Sequence, residues 1–303
     1  MLILNASGCL DALAAPSVAR TLDAFVTKTV TPQPREGNVP VRVAEVDVGM
    51  LNSIGLANPG IDAFLANALP RLRRLEIPIW VSVGGFSRAE YARLCRALTG
   101  RDEVAAIELN LSCPNVEPVQ DTISDVVGAA REETAKPLYA KLSPAAPDIG
   151  ALAAAAEAAG ADGLSLVNTV RGLGLDERTL APRLGPAVGG LSGPALKPIA
   201  LAAVFTCRQA TELPIVGMGG VATGRDALEL VAAGASAVAL GTVLFGDPGA
   251  PGRIRAELAA ELKARELTLE QAFGAAHAPV NPLPVLESSF ANKSLQISMN
   301  GRV

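Results

Sequence analysis

The chain has 303 residues, of which 50% are apolar and 18% are charged. This composition predicts a large packed core and excludes an intrinsically disordered protein. The 26 basic and 30 acidic residues give a net charge of −4 and form no basic block, which argues against a nucleic-acid-binding protein. The four cysteines form no CxxC motif, and His277 is the single histidine. We therefore expect no metal site and no iron–sulfur cluster held by this chain alone.

Neither the first residues nor the long uncharged stretch of the sequence indicates a signal peptide or a membrane span. Residues 1–5 lack the positively charged start of a signal peptide. The longest uncharged stretch near the end of the chain, residues 230–246, is short for a membrane span and contains three glycines. Isolated cysteines are typical of a reducing compartment. We therefore expect a cytoplasmic protein that acts away from membranes.

Short β-rich runs alternate with amphipathic helical patterns along most of the chain. The predicted strands are residues 25–27, 43–48, 79–83, 106–109, 138–142, 163–167, 215–218 and 237–240. The predicted helices are residues 61–75, 88–98, 122–134, 149–159, 199–210 and 225–233, and Ser87-x-x-Glu90 and Thr223-x-x-Asp226 predict capping boxes at two of them. Strands that are apolar throughout are typical of a parallel sheet buried on both faces.

Eight such strands separated by helices predict an α/β fold, a (β/α)8 TIM barrel that forms a single domain over residues 1–303. In this architecture ligands bind at the carboxyl ends of the strands. Residues 275–303 show no clear period, so this C-terminal tail receives no assigned role.

Two glycine-rich segments follow the last two predicted strands. They are Gly219-Gly220 and Gly241-Thr242, and the loops after strands seven and eight are where TIM barrels hold phosphate. Glycine lets backbone N–H groups approach an anion, and a helix capped at Thr223 is expected to add its positive end. These loops predict a phosphate site, with Gly193 as a further candidate.

Amide side chains follow several other predicted strands: Asn52, Asn110, Asn115 and Asn168. An amide both donates and accepts hydrogen bonds, so this set favours a planar ligand rich in carbonyl and N–H groups. Lys28 and Lys141 follow two further strands, where a cation can stabilise developing negative charge. Cys113 is a candidate nucleophile or proton acceptor, and the absence of a nearby histidine leaves both roles open.

These residues stand in motifs that resemble the class 1 dihydroorotate dehydrogenases over residues 5–248. The most specific motifs are Asn110-Leu111-Ser112-Cys113-Pro114-Asn115 and Asn52-Ser53-Ile54-Gly55-Leu56. Further matches are Thr27-Lys28-Thr29, Lys141-Leu142-Ser143-Pro144, Asn168-Thr169, the stretch 189–197 and both phosphate loops. The resemblance implies a TIM barrel with FMN as cofactor that oxidises dihydroorotate to orotate in pyrimidine biosynthesis.

The resemblance also implies roles for individual residues. The FMN would be lined by Ser7, Lys28, Thr29, Ser82, Asn110, Lys141, Val167, Gly193, Gly219, Gly220, Gly241 and Thr242. Dihydroorotate would be held by Lys28, Asn52, Ser53, Ile54, Gly55, Leu56, Asn110, Asn115, Asn168 and Thr169. Cys113 would remove the C5 proton while hydride passes from C6 to flavin N5, with Lys141 as the second catalytic residue.

The electron acceptor depends on the subclass. Class 1A enzymes are homodimers that use fumarate, whereas class 1B enzymes pair with a subunit that carries FAD and a [2Fe–2S] cluster and reduce NAD. Gly49-Met50-Leu51-Asn52 and residues 189–201 resemble class 1B, Ser82 resembles class 1A, and the segment after Asn115 is shorter than in either. We expect NAD as acceptor through a partner subunit, with a fumarate-using homodimer as the alternative.

Two readings from other functional classes remain open at this point. One is a flavin-free barrel aldolase or isomerase that acts on a phosphorylated substrate, and the other is a catalytically silent subunit retained for assembly. The colour of the purified protein separates the first from a flavoprotein, and orotate binding without turnover would identify the second.

Overall fold

The structure is a computed structural model that describes residues 1–111 and 121–279. Its strands, in chain order, are β1 (Leu2–Asn5), β2 (Phe25–Val26), β3 (Val43–Val46), β4 (Gly49–Asn52), β5 (Ile79–Val83), β6 (Val104–Asn110), β7 (Leu138–Leu142), β8 (Gly163–Leu166), β9 (Val170–Leu173), β10 (Val188–Ser192), β11 (Ile215–Met218) and β12 (Ala237–Leu240).

The helices begin with α1 (Pro16–Ala19), α2 (Ile61–Ala63), α3 (Leu69–Leu72), α4 (Arg88–Thr99), α5 (Ile123–Glu133) and α6 (Ile149–Ala158). They continue with α7 (Lys197–Ala210), α8 (Gly224–Ala232), α9 (Val243–Gly246), α10 (Ala250–Ala264) and α11 (Leu269–Ala272). No helix among the residues described combines the length and the apolarity that crossing a bilayer requires.

Eight parallel strands form a nearly closed barrel in the order β1–β12–β11–β8–β7–β6–β5–β2. The apolar residues on the outer face of these strands pack against the helices, as Ile107 and Leu109 do with Leu94 and Leu98. A smaller cluster that includes Leu4, Val216 and Met218 fills the barrel interior. The predicted TIM barrel, a single domain, is therefore confirmed.

One predicted barrel strand is wrong. Residues 43–46 form β3, which pairs antiparallel with β4 in a second sheet of order β3–β4–β10–β9. Along β3, exposed and half-buried residues alternate, as expected for a sheet with one face in solvent. The barrel strand that the sequence analysis missed is Leu2–Asn5, which pairs with β12. The predicted number of barrel strands was right because these two errors cancel.

The helix predicted over residues 61–75 is interrupted. Between α2 and α3 the chain forms a π-helical turn, Phe64–Ala68, and after α3 it tightens into a 3-10 turn, Arg73–Leu75. Pro70 has no N–H to donate to the preceding turn, so a regular hydrogen-bond ladder cannot continue through it. The other predicted helices end within two residues of their predicted limits.

The two predicted capping boxes differ in outcome. At Thr223 the side chain accepts from the Asp226 N–H and the Asp226 carboxylate accepts from the Thr223 N–H, so this box is confirmed. The Ser87 hydroxyl accepts from the Glu90 N–H, but the Glu90 carboxylate accepts from the N–H of Phe86 instead of closing the box.

The predicted tail, residues 275–303, is described only in its first part. Ala275–His277 forms a 3-10 turn, and the His277 ring stacks on Phe205 with ring centroids 4.1 Å apart. Its Nε2 lies 3.0 Å from the carbonyl oxygen of Ala233. Residues 280–303 lie outside the described part of the chain.

The barrel closes at a seam between β1 and β2. The backbones meet at one parallel bridge, Leu4 to Ala24. Beyond it, Asn5 Nδ2 donates to the Val26 carbonyl at 2.8 Å, and the Val26 N–H donates to Asn5 Oδ1 at 2.8 Å. The Asn5 side chain is fully buried. It therefore replaces a peptide group in the ladder and joins the first strand to the second.

We predict that Asn5→Ala destabilises the fold by about 2–4 kcal/mol, because it leaves both polar groups of the Val26 backbone buried and unpaired. Urea unfolding followed by circular dichroism measures the change. Asn67→Ala, at an exposed asparagine, is the matched control and should stay within about 0.5 kcal/mol of the parent chain. Equal stability of the two variants would show that the seam does not depend on this side chain.

Candidate active site

A cavity lies at the carboxyl ends of the barrel strands, partly covered by the four-stranded antiparallel sheet. It holds about 1150 Å³ of unfilled space, part of which is open to solvent. Seventeen of the predicted site residues line it: Ser7, Lys28, Thr29, Asn52, Ile54, Gly55, Leu56, Asn110, Lys141, Val167, Asn168, Thr169, Gly193, Gly219, Gly220, Gly241 and Thr242. The structure thus brings most of the predicted site together, while the ligand each residue contacts stays a prediction.

Two predicted residues lie behind the wall of the cavity. Ser82 is fully buried, and its Oγ is 3.0 Å from Thr29 Oγ1. Ser53 is also buried, and its Oγ accepts a hydrogen bond from Asn38 Nδ2 at 2.8 Å. Ser82 therefore supports Thr29, which lines the cavity, whereas Ser53 contacts Asn38 behind the wall. Cys113 and Asn115 lie outside the described residues, so their predicted roles remain predictions.

Hydrogen bonds connect polar side chains at the carboxyl ends of the alternate barrel strands β8, β6 and β2. Asn168 Nδ2 donates to Asn110 Oδ1 at 3.2 Å, and Asn110 Nδ2 donates to Thr29 Oγ1 at 3.0 Å. Thr29 is in turn held by Ser82. The side-chain amides of Asn110 and Asn168 are therefore fixed in orientation. They can pair with a ligand that carries matching donors and acceptors.

The two glycine-rich loops converge on one side of the cavity. The N–H groups of Gly219, Gly220, Gly241 and Thr242 donate no hydrogen bond to any residue that the structure describes. Gly220 has a φ of +74°, and a Cβ there would lie 2.7 Å from the Lys197 backbone nitrogen. Unused backbone donors, two of them on the left-handed glycines Gly219 and Gly220, form a cradle for an anion. This cradle fits the predicted phosphate site.

The expected contribution of the α8 N-terminus to that phosphate site is wrong. Asp226 Oδ2 accepts from the N–H groups of Ala222 and Thr223, and Glu257 Oε2 accepts from the Gly224 N–H. These donors at the start of α8 are therefore already occupied by carboxylates. Their negative charge offsets the positive end of the helix, which leaves the glycine loops as the source of donors.

The same carboxylate anchors the Gly220 loop to α7. Lys197 Nζ lies 2.7 Å from Asp226 Oδ1 and 2.9 Å from Glu229 Oε2. Burial raises the pKa of the Asp226 carboxyl, but hydrogen bonds from Lys197, Ala222 and Thr223 outweigh it and lower the pKa overall. The hydrogen bonds to Asp226 and Glu229 raise the pKa of Lys197. All three groups are therefore charged at neutral pH, and they hold the loop in place.

Lys28 and Lys141 are the charged residues among those described in the cavity wall. Lys141 is nearly buried, donates to Ser7 Oγ at 3.0 Å, and lies 3.5 Å from Glu108 Oε1. Ser7 follows the first barrel strand and Lys141 lies on the seventh strand of the chain, so this contact depends on barrel closure. The cavity carries a positive charge that suits an anionic ligand.

The predicted substrate loop, residues 52–56, is held by Asn58. Asn58 Nδ2 donates to the Leu56 carbonyl and to Thr31 Oγ1, each at 2.7 Å, and its Oδ1 accepts from the N–H of Gly60. Leu56 has a φ of +58°, which is uncommon for a residue with a side chain. Asn58 compensates for this strain and fixes the direction in which the loop faces the cavity.

The sequence analysis missed several residues of the wall. Cys9 is half-buried, lines the cavity, and has a raised pKa because burial outweighs the nearby lysines. Met50 and Ser192 line it from β4 and β10. No local signal marks these two, because their position depends on the second sheet folding over the barrel mouth.

The family model described as dihydroorotate dehydrogenase matches residues 2–262. A dihydroorotate dehydrogenase B (NAD(+)) catalytic subunit from Desulforudis audaxviator is 46% identical over 266 residues, which cover 84% of this chain and 86% of that protein. A Solibacter usitatus protein with the provisional name dihydroorotate dehydrogenase A (fumarate) is 46% identical over 78% of this chain and 80% of its own length.

Among solved structures, DHODH from Eimeria tenella in complex with ferulenol superposes with a TM-score of 0.78. The match covers 92% of this chain and 86% of that chain at 23% sequence identity, and supports the fold. The family model and the relatives cover most of the chain and include the strands that carry the cavity. The chain therefore belongs to the dihydroorotate dehydrogenase family.

Proposed function

We propose that this chain oxidises dihydroorotate to orotate in pyrimidine biosynthesis, with one FMN bound in the cavity. The observation that carries the proposal is the convergence of four unused backbone N–H groups, two lysines and an oriented amide network on one cavity. The names of the relatives supply the substrate. The geometry supports a ligand with a phosphate at one end and a planar polar ring at the other.

The residues present fit FMN. Its phosphate would be held by the backbone N–H groups of Gly219, Gly220, Gly241 and Thr242. The first two positions require glycine, because a Cβ at Gly219 would lie 2.9 Å from Ala200 and one at Gly220 would lie 2.7 Å from Lys197, both on α7. Lys141 and Ser7 would face the ring, together with Thr29 and Asn110. When bound, FMN supplies at N5 the acceptor for the hydride that leaves C6 of dihydroorotate.

The amide and lysine side chains would hold the substrate. Asn52 and Asn168 both line the cavity, and both amides are oriented, by the Gly190 carbonyl and by Asn110 respectively. Dihydroorotate carries a carboxylate and an imide-like ring, so it needs both a cation and groups that donate and accept. Lys28 would pair with the carboxylate, and Asn115 and Thr169 belong to the same predicted substrate set.

Cys113 takes the proton from C5 in this proposal. Asn110, three residues earlier in the sequence, lines the cavity. Lys141 donates to Ser7 and lies 3.5 Å from Glu108, which places its side chain where it can stabilise negative charge. The relatives are named dihydroorotate dehydrogenases, so we favour flavin chemistry over the flavin-free barrel. The presence of both proposed catalytic residues argues against a silent subunit.

We propose NAD as the final acceptor, reached through a partner subunit that carries FAD and a [2Fe–2S] cluster. The support is the class 1B resemblance and the name of the Desulforudis relative. The name of the Solibacter relative supports the alternative, a homodimer that uses fumarate. The assemblies that we propose are a homodimer or a heterotetramer with the FAD/[2Fe–2S] subunit, and both would contain two copies of this chain. Exposed apolar residues around β3 and β9 favour such pairing: Val39, Val41, Val43, Val48, Leu173, Leu175 and Leu180.

The FMN site is tested at Gly220. We predict that Gly220→Val weakens FMN binding by roughly 10- to 100-fold, the effect of losing one or two hydrogen bonds to a charged group, because a Cβ there collides with Lys197. Flavin fluorescence titration measures the dissociation constant, and circular dichroism checks that the barrel folds. Gly100→Val, where a Cβ meets nothing within 4 Å, is the control. A colourless parent chain that binds no added FMN would refute the proposed cofactor.

The proton acceptor is tested by Cys113→Ala. Reduction of bound flavin by dihydroorotate should slow by about 10²–10⁴-fold, the usual contribution of a positioned base, while orotate still binds. Stopped-flow absorbance measures the rate. Cys207→Ala is the control, because burial raises the pKa of that thiol to about 12. Cys113→Ser should regain some activity at high pH, and a normal rate in Cys113→Ala would assign the base to another residue.

The acceptor is tested with the chain expressed alone. Dihydroorotate should reduce it rapidly, whereas NAD should reoxidise it slowly until a subunit with FAD and a [2Fe–2S] cluster is added. Steady-state turnover with NAD and with fumarate, each with and without that subunit, separates the alternatives. Fast turnover with fumarate and no gain from the added subunit would assign the chain to the fumarate-using class.

A further inference from the structure

A buried carboxylate lies beneath the floor of the cavity. Glu108 lies on β6, two residues before Asn110, and is 1% exposed. Because residues two apart on a strand share a face, Glu108 lies in the barrel interior one layer below Asn110. It is absent from the cavity wall, so no role in holding a ligand directly is assigned to it.

The hydrogen-bonding state of Glu108 is unusual. Its Oε1 is buried and has no hydrogen-bond partner among the described residues. The nearest opposite charge is Lys141 Nζ, at 3.5 Å, which also donates to Ser7 Oγ. An ionised carboxylate in a protein interior needs a compensating charge. Lys141 therefore interacts with Ser7 in the cavity wall and with Glu108 below it.

Three charged side chains lie close to the cavity floor. Lys28 and Lys141 contribute positive charges at the cavity, and Glu108 contributes a negative charge beneath it. The thiol of Cys9, on the cavity wall, lies within the electrostatic influence of all three groups. Loss of the Glu108 carboxylate would therefore make the surroundings of the cavity floor more positive by one charge.

We propose that Glu108 is a positioning residue that holds the Lys141 ammonium in the cavity floor and limits how strongly the cavity stabilises negative charge on a bound flavin. This inference rests on the proposed FMN function. Without the carboxylate, the surroundings of the flavin would be more positive by one charge, which would stabilise the electron-rich reduced flavin more than the oxidised flavin. Glu108 thus sets the reduction potential of the cofactor without touching it.

The test is the two-electron reduction potential of FMN in the holoenzyme, measured against a reference dye during slow anaerobic reduction. In Glu108→Gln, which keeps the shape but removes the charge, reduced FMN should bind at least about tenfold more tightly relative to oxidised FMN than in the parent chain. For a two-electron couple this equals a rise of about 30 mV. Binding of oxidised FMN, measured by fluorescence, should stay within about threefold, because the phosphate cradle is unchanged.

Ser165→Ala is the matched control. Ser165 lies on β8 next to Lys141 in register, and its Oγ is likewise buried without a described hydrogen-bond partner, but it carries no charge. Its removal should leave the potential unchanged. Glu108→Asp, which keeps the charge on a shorter side chain, should give a smaller rise than Glu108→Gln.

Each outcome has a separate meaning. The inference would be overturned if the FMN reduction potential of Glu108→Gln equalled that of the parent chain. It would also be overturned if Ser165→Ala raised the potential as much as Glu108→Gln, because that would indicate altered packing. If Glu108→Gln yields no folded holoenzyme, a rise of about 30 mV or more in Glu108→Asp, which keeps the charge, would overturn it. Failure of the parent chain to bind FMN would instead refute the proposed function.

Discussion

Closure of the eight-stranded barrel is the constraint on which the rest of this structure depends. All eight strands run in the same direction, so their carboxyl ends meet at one rim only if the first strand joins the second. The Asn5 side chain makes that join with two hydrogen bonds to the Val26 backbone. The contact between Ser7 and Lys141, 134 residues apart in the chain, follows from it.

The polarity of the barrel changes along its axis. At the rim, amide and hydroxyl side chains form a connected network, whereas Leu4, Val216 and Met218 fill the interior below. Glu108 departs from this pattern, since it places a charge below the rim. A buried ion pair seldom adds stability over apolar packing. Its presence under the cavity is better explained by the electrostatics of the bound ligand than by stability.

The second sheet covers the mouth of the barrel and supplies part of the cavity wall. Its strands are inserted after β2, as β3 and β4, and after β8, as β9 and β10, and they fold together over the mouth. Their inner side supplies Met50, Asn52 and Ser192 to the cavity. The same strands also expose apolar residues such as Leu173, which fits pairing of the chain. The two insertions thus shape the site together and offer a surface for assembly.

Local pattern was enough to predict the barrel, the glycine loops and most of the residues in the cavity wall. Apolar strands that end in polar or glycine residues carry that information within a few positions, and in a parallel sheet all such ends face the same side. The Thr223 capping box was visible for the same reason, because both partners lie three residues apart. Periodicity cannot separate a barrel strand from a strand of another sheet, so residues 43–46 were assigned to the barrel.

The tertiary structure alone decided which groups remain available to a ligand. The start of α8 is ready to bind an anion by sequence, yet Asp226 and Glu257, the latter from a helix 33 residues away, occupy its donors. Cys9 lies on the cavity wall, and Glu108, which falls within the predicted apolar strand 106–109, lies 3.5 Å from Lys141. Sequence determined the residue types and their strand ends; the distances among groups far apart in the chain, and with them the charge balance of the site, exist only once the barrel has closed.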